Sequence, residues 1–181
     1  MIAGEYEIEI SSGRLVDLQS FDASLVTIAE VAHALGMLCR FGGHAKQFYS
    51  VAEHSVLMLQ WFRTCRPNSS REEQRAILMH DAPEAFLVDL PRPIKAQLPA
   101  YRHMEERLAA CLAERFDTAD AVVDVERYDL EMLAMEKMHV MRSENDWPSL
   151  DGVLVPNTVV PRFWDPDRAR YEFAAAYSGV K

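Results

Sequence analysis

The apolar positions of this chain fall into two regimes. Tyr6, Ile8 and Ile10 alternate with acidic residues, Ser11-Ser12-Gly13 interrupts, and Leu15, Val16 and Leu18 follow. Alternation broken by turn residues predicts two short strands over residues 5–18, a small hairpin. Beyond it, apolar residues recur at three- and four-residue spacing, the period of helices packed on a core. Helices are predicted near 28–38, 51–65, 71–88, 100–116, 121–144 and 166–178. Their starts are well marked. Thr27-Ile28-Ala29-Glu30, Ser50-Val51-Ala52-Glu53 and Ser70-Arg71-Glu72-Glu73 fit the capping box, a hydroxyl at the N-cap answered by Glu three residues on. The last helix opens with Asp165 as N-cap and Pro166 at its first position. Most prolines fall between these segments, and neither repeats nor low-complexity stretches interrupt them. The expected fold is all-α, a helical bundle with a small N-terminal β-hairpin.

Composition narrows the picture. The 181 residues suffice for one domain with a proper core, and no shift in composition divides them, so residues 1–181 are read as a single domain. Seven glycines among many Ala, Leu, Met and Glu favour helices. No basic segment followed by an apolar run marks a signal peptide, and no apolar stretch approaches the ~18 residues of a membrane span. Cys39, Cys65 and Cys111 are odd in number and far apart, against a disulfide framework or zinc ribbon. A cytoplasmic protein without membrane contact is expected. The net charge of −9 argues against broad nucleic-acid binding, which needs a basic surface. It leaves room for a small phosphorylated substrate, because an ion and a few local cations can make one pocket attractive to anions.

The candidate chemistry lies on the helices. In 51–65, His54 shares an inward stripe with Val51, Ser55, Met58, Trp61 and Phe62. Taken alone, that position suits a hydrogen-bonded core histidine better than a ligand. The segment Leu78-Met79-His80-Asp81-Ala82-Pro83-Glu84 says more, because His80 and Asp81 follow an apolar run expected to be buried nearly all round. Ionisable groups in such places are costly unless paired, and a divalent metal would pair them. Adjacent helical positions diverge by ~100°, so His80 and Asp81 could grip one ion only from its two sides. Glu84, four residues beyond His80, lies over the same face. Pro83 cannot donate to the Met79 carbonyl and should kink the helix; alternatively, Asp81 merely helps open a new helical segment at Pro83. Asp129, flanked by Val125, Met132 and Leu133, could supply a fourth ligand, although most charges on that helix must be solvated. Two imidazoles and two carboxylates suit Zn, Mn, Co, Ni or Fe, and Mg less well. Such an ion can lower the pKa of bound water and polarise a phosphoryl oxygen. Arg40, Arg92 and Lys95 offer cations, Lys95 reading equally well as an exposed loop residue. Phe41, Phe48, Tyr49 or Trp147 could stack on a base, though aromatics so placed more often belong to the core.

Taken together, Arg40-Phe41-Gly42-Gly43-His44, Tyr49 to Ser55, His80-Asp81-x-x-Glu84, Asp89-Leu90-Pro91-Arg92-Pro93-Ile94-Lys95 and Tyr128-Asp129-Leu130 resemble the HD-domain phosphohydrolase superfamily over roughly residues 27–140. The likeness is greatest to its small bacterial and phage nucleotide hydrolases, including the 5′-deoxynucleotidases. The resemblance implies an all-helical fold around one divalent ion held by His54, His80, Asp81 and Asp129. It implies that Glu84 positions or activates water, that Asp89 helps in proton handling or substrate orientation, and that Arg40 binds phosphate, with Lys95 a further charge. His44 is a rival first ligand; His54 is preferred for its capped helix and apolar stripe, leaving His44 to contact substrate. His33, His103 and His139 read as structural or surface residues. The implied activity is hydrolysis of a small nucleotide, foremost a deoxynucleoside 5′-monophosphate. A deoxynucleoside triphosphate triphosphohydrolase and a catalytically silent nucleotide sensor remain as alternatives. No Gly-Tyr-Pro extension of the cyclic-dinucleotide phosphodiesterases is recognisable. A homodimer is expected by analogy alone, and residues from 145 onward match no interpretable pattern.

Overall fold

The computed structural model describes residues 5–142 and 144–180. The chain opens with the expected hairpin, β1 (Glu7–Glu9) and β2 (Leu15–Asp17), antiparallel with Ile8 opposite Val16. Eight α-helices follow among the described residues: α1 (Ile28–Met37), α2 (Val51–Cys65), α3 (Arg71–Met79), α4 (Glu84–Leu87), α5 (Arg92–Lys95), α6 (Pro99–Arg115), α7 (Val125–His139) and α8 (Pro166–Ser178). The fold is therefore all-α with a small N-terminal hairpin. None of these helices is long and apolar enough to cross a membrane. The three cysteines are free.

The hairpin is tied down at two points. Arg107 on α6 donates to the carbonyls of Leu18 and Gln19. Ser12 and Arg14 donate to Glu30, which also closes the Thr27 capping box. Burial opposes ionisation of Glu30, but hydrogen bonds from Ser12, Thr27 and Arg14 outweigh it and lower the carboxyl to about 2.

Helix α2 is the hub. An inward stripe was expected, yet eleven of its fifteen residues are buried, because α1, α3, α7 and α8 all pack on it. Close approach of α8 to α1 requires Gly36, where a Cβ would stand 3.1 Å from the Arg170 Cβ and backbone N and from the Pro166 carbonyl. Ala169 and Phe173 of α8 are buried in this layer.

The boundaries depart from expectation where local chemistry differs. The predicted 71–88 helix is two, α3 and α4. Pro83 has no N–H for the Met79 carbonyl, which accepts instead from the Ala82 N–H at 2.9 Å in a tighter turn. The predicted 121–144 helix shortens to α7, because the Asp124 side chain accepts from the Arg127 N–H and so caps the start. The proline-rich loop after Asp89 contains the short α5, which the pattern did not predict.

Two of the three capping boxes close as expected, at Thr27 and Ser70. At the third, the Ser50 hydroxyl accepts from the Glu53 N–H, but the Glu53 carboxylate turns away. It accepts instead from the backbone N–H groups of Arg162, Phe163 and Trp164 at 2.6, 3.0 and 2.8 Å. This clamp fixes the segment leading into α8 against α2. Each buried donor left unsatisfied costs ~1–3 kcal/mol. Glu53→Ala should therefore destabilise the fold by about 2–4 kcal/mol, with Glu53→Gln intermediate because it keeps one acceptor oxygen. Urea unfolding midpoints check this, and an unchanged midpoint in Glu53→Ala would remove the clamp from the account of stability.

Candidate metal centre and adjoining pocket

Three elements bring the sequence-predicted ligands together. His54 lies in the first turn of α2 and is fully buried. His80 closes α3, and Asp81 occupies the turn before α4. Asp129 comes from α7. One ligand atom from each of His54, His80 and Asp81 lies within 4.8 Å of the others, so these three can hold a metal ion. The Asp81 carboxylate is 3.1 Å from His80 Nε2 and 3.8 Å from His54 Nε2. Asp129 Oδ1 joins at 3.4 Å from His54 Nε2, while its other oxygen accepts from Arg92 at 2.5 Å.

The ring orientations are informative. His80 Nδ1 lies 2.9 Å from the Ile77 carbonyl, an acceptor only, so that nitrogen carries the proton. His54 Nδ1 lies 2.7 Å from the buried Glu136 carboxylate and is likewise the donor. The two Nε2 atoms then face each other at 3.3 Å. In neutral rings these are two lone pairs pointing together, beside two carboxylates. Only a proton or a cation relieves that arrangement, and the donor set fits a divalent ion. Burial and Arg40 disfavour charging the His54 ring, but Glu136 and Asp129 overcome them and raise it to about 9. An ion at Nε2 must therefore displace a proton.

Glu136 is the residue that sequence reasoning missed. It also accepts from the Tyr49 hydroxyl at 2.9 Å and from Arg40 at 3.2 Å. The available signal was its place seven residues, about two turns, beyond Asp129, an acid on an otherwise apolar face. Burial pushes its carboxyl up, but Arg40 and His54 hold it below the ordinary value. Burial likewise opposes ionisation of Asp81, and His80, His54 and Arg40 override it and lower its carboxyl.

A pocket of about 530 Å³ opens onto this cluster, lined on its charged side by Arg40, Asp81, Glu84, Asp89, Lys95 and Asp129. Arg40 sits on the carboxylates themselves, bridging Asp81 at 3.4 Å and Glu136. Its Nε is buried without a partner among the described residues. Lys95 lies 2.6 Å from Glu105 and 3.6 Å from Glu84. Glu84, the first residue of α4, is buried, and its Oε2 likewise has no hydrogen-bond partner among the described residues. Burial, then the like charges of Asp81 and Asp89, push the Glu84 carboxyl well above the carboxylate range, against Arg40 and Lys95. Burial also raises Asp89. Asp89 enters the pocket from Val88, whose φ of 67° and ψ of 157° belong to a region a β-branched residue rarely occupies. The Tyr101 hydroxyl donates to the Val88 carbonyl at 2.7 Å and holds it there. His44 is exposed on the pocket rim, beyond the ligand cluster.

No family model matches the chain. It is 34% identical over 148 residues to the uncharacterized protein YfdR of Escherichia coli strain K12, covering 81% of this chain and 79% of YfdR. It is also 36% identical over 108 residues to an uncharacterized protein of Rhodobacter capsulatus, 58% of this chain and 55% of that protein. The chain belongs to the family of YfdR.

The carboxylate behind a ligating histidine fixes its tautomer and orientation, and losing such a partner typically costs ~10–100-fold in metal affinity. Glu136→Gln should weaken metal binding by about that range. Glu131→Gln, a control on the same helix whose carboxylate instead bonds Trp61 and Arg127, should leave it unchanged. Competition with a chromophoric chelator measures both, and equal affinities in the two variants would remove Glu136 from the site.

Proposed function

We propose that the protein is a metal-dependent phosphohydrolase of the HD-domain type, acting on a small nucleotide, foremost a deoxynucleoside 5′-monophosphate. The observation that carries this reading is the pair of facing Nε2 atoms with both Nδ1 atoms tied off, beside a pocket that holds an unpartnered buried carboxylate oxygen. His54, His80, Asp81 and Asp129 would hold the ion, with Zn, Mn, Co, Ni or Fe preferred over Mg by the two imidazoles. Such an ion supplies Lewis acidity and a nucleophilic water near neutral pH.

The chain's own side chains supply the rest. Burial beside the like charges of Asp81 and Asp89 raises the Glu84 carboxyl and favours its protonated form, and its Oε2 has no hydrogen-bond partner among the described residues, so Glu84 would pass a proton within the pocket. Asp89, also raised, sits beside it and orients the substrate. Arg40 and Lys95 offset charge on the phosphate, Arg40 with a fork of donors and Lys95 as a point charge. His44 on the rim contacts the substrate away from the reacting phosphorus. The cations are now matched to acids: Arg40 to Asp81, Arg92 to Asp129, Lys95 to Glu105. With Asp81 and Asp129 holding an ion, guanidinium donors of Arg40 and Arg92 would turn to a phosphate.

The test is a panel of nucleotides with metal-loaded protein and identification of products. Release of orthophosphate from deoxynucleoside monophosphates supports the proposal; triphosphate release favours a triphosphohydrolase, and no turnover favours a nucleotide sensor. General acid–base assistance typically contributes ~10²–10⁴-fold. Glu84→Gln should therefore lower turnover by about that range while metal stoichiometry, measured on the same preparation, stays at the wild-type value. Full activity defeats the proton role, and an empty site makes Glu84 a ligand. Arg40→Lys should lose most of the activity on phosphorylated substrates with the metal still bound, because an ammonium cannot reproduce the fork. Unchanged kinetics in Arg40→Lys would take the phosphate contact away from Arg40.

A further inference from the structure

The pocket is larger than a phosphate requires and lies within the range of small-molecule sites. Its lining is graded. Asp129 and Leu133 are one turn apart on α7, so the wall passes from a carboxylate to an apolar side chain toward the end of that helix. At that end the Val140 carbonyl accepts from the Lys46 N–H at 3.0 Å, which joins the 40–46 loop to the close of α7. Met141 follows, and Phe41 and Trp147 complete the wall. Glu84, Asp89, Arg92 and Lys95 all come from the α4–α5 side.

Four aromatics near the site are candidates for contact with a base, and the structure separates them. Tyr49 is fully buried and committed to Glu136. Phe48 does not line the pocket. Phe41 and Trp147 both line it and are only half-buried. Phe41 is held at φ 58° and ψ 27°, strained for a bulky residue, with the Arg40 guanidinium 5.5 Å from its ring centroid. Trp147 stands at the head of the Pro148–Leu150 turn, in the stretch between α7 and the Glu53 clamp.

We propose that Phe41 and Trp147, backed by Leu133 and Met141, form a subsite for a planar aromatic base, with the phosphate at the Arg40 and Lys95 end of the pocket. The position of the phosphate rests on the phosphohydrolase reading; the aromatic subsite rests on the lining. Every nucleobase presents a π face, so stacking of this kind holds a base without selecting strongly among them.

The experiment has two arms. Equilibrium dialysis measures adenosine, which carries no phosphate, against wild-type protein, Trp147→Leu and Trp147→Phe. Leucine keeps apolar bulk without a π face, and loss of one stacked ring weakens binding by about ten- to a hundredfold. Trp147→Leu should show that loss and Trp147→Phe should recover most of it, with melting temperatures of all three alike. Should Trp147→Leu not fold, Phe41→Leu replaces it in the same comparison. Equal adenosine binding in wild-type protein and the leucine variant overturns the subsite. The second arm compares kcat/KM for deoxyadenosine 5′-monophosphate and ribose 5-phosphate. The wild-type preference for the base-bearing ester should collapse in Trp147→Leu, with ribose 5-phosphate unaffected. An equal loss on both esters, or no wild-type preference, also overturns the proposal. Absence of any phosphate release defeats the hydrolase reading alone, because the dialysis arm still decides the subsite.

Discussion

Burying the Glu136 carboxylate without partners would cost several kcal/mol, and three separate parts of the chain contribute to prevent it. Arg40 arrives from the loop after α1, Tyr49 from the residues just before α2, and His54 from α2 itself. Each spends its polar group on one acid near the end of α7, so the packing of α7 on α2 is specified in register as well as in hydrophobicity. The orientation of the His54 ring follows from that packing. Its Nδ1 is committed to Glu136, and Nε2 therefore points at His80, Asp81 and Asp129. The candidate metal centre is in this sense the outer face of a buried ion-pair network.

Two strained residues flank lining groups of the pocket: Phe41 follows Arg40, and Val88 precedes Asp89, both given roles in the proposed reaction. Left-handed backbone at such residues costs on the order of 1–3 kcal/mol each and persists only where surrounding contacts hold it. At Val88 the contact is the Tyr101 hydroxyl; at Phe41 it is the His44 N–H donating to the Phe41 carbonyl at 3.1 Å and the Arg40 guanidinium over the ring. The molecule is acidic overall, yet its pocket gathers three cations, each presently satisfied by a carboxylate. An anion entering this pocket would have to exchange partners rather than meet free charges, which would favour ligands that arrive with a compensating cation.

Much of this was legible in the sequence. The hydroxyl-to-Glu spacing located the starts of α1, α2 and α3, and the inward position of His54 and the run before His80 pointed to the cluster the structure assembles. At Pro83 the sequence predicts a kink within one helix, but the structure has a break between α3 and α4, because losing one donor lets a tight turn replace a whole helical turn. Glu53 was misread for an instructive reason. Its spacing from Ser50 satisfied the local pattern, while its carboxylate was claimed by three N–H groups more than a hundred residues away. Glu136 was missed because a carboxylate on a charge-rich helix looks solvated until tertiary contacts reveal Arg40 and Tyr49 beside it. Local patterns report local competition, and both residues are decided by distant partners.

The Glu53 clamp and the fit of α8 against Gly36 also bear on how the chain is made. The candidate metal ligands, Glu136 behind them and the residues proposed to handle phosphate and protons all lie before residue 137, so a nascent chain carries them before residues 162–173 leave the ribosome. Until then Glu53 lacks its three donors, and the faces of α1 and α2 that receive α8 stand open to water. Domains complete their cooperative core only when such late elements dock, and long-range closure of this kind slows folding. The metal-ligand cluster can thus be translated early yet matured late, once α8 has docked on α1 and α2.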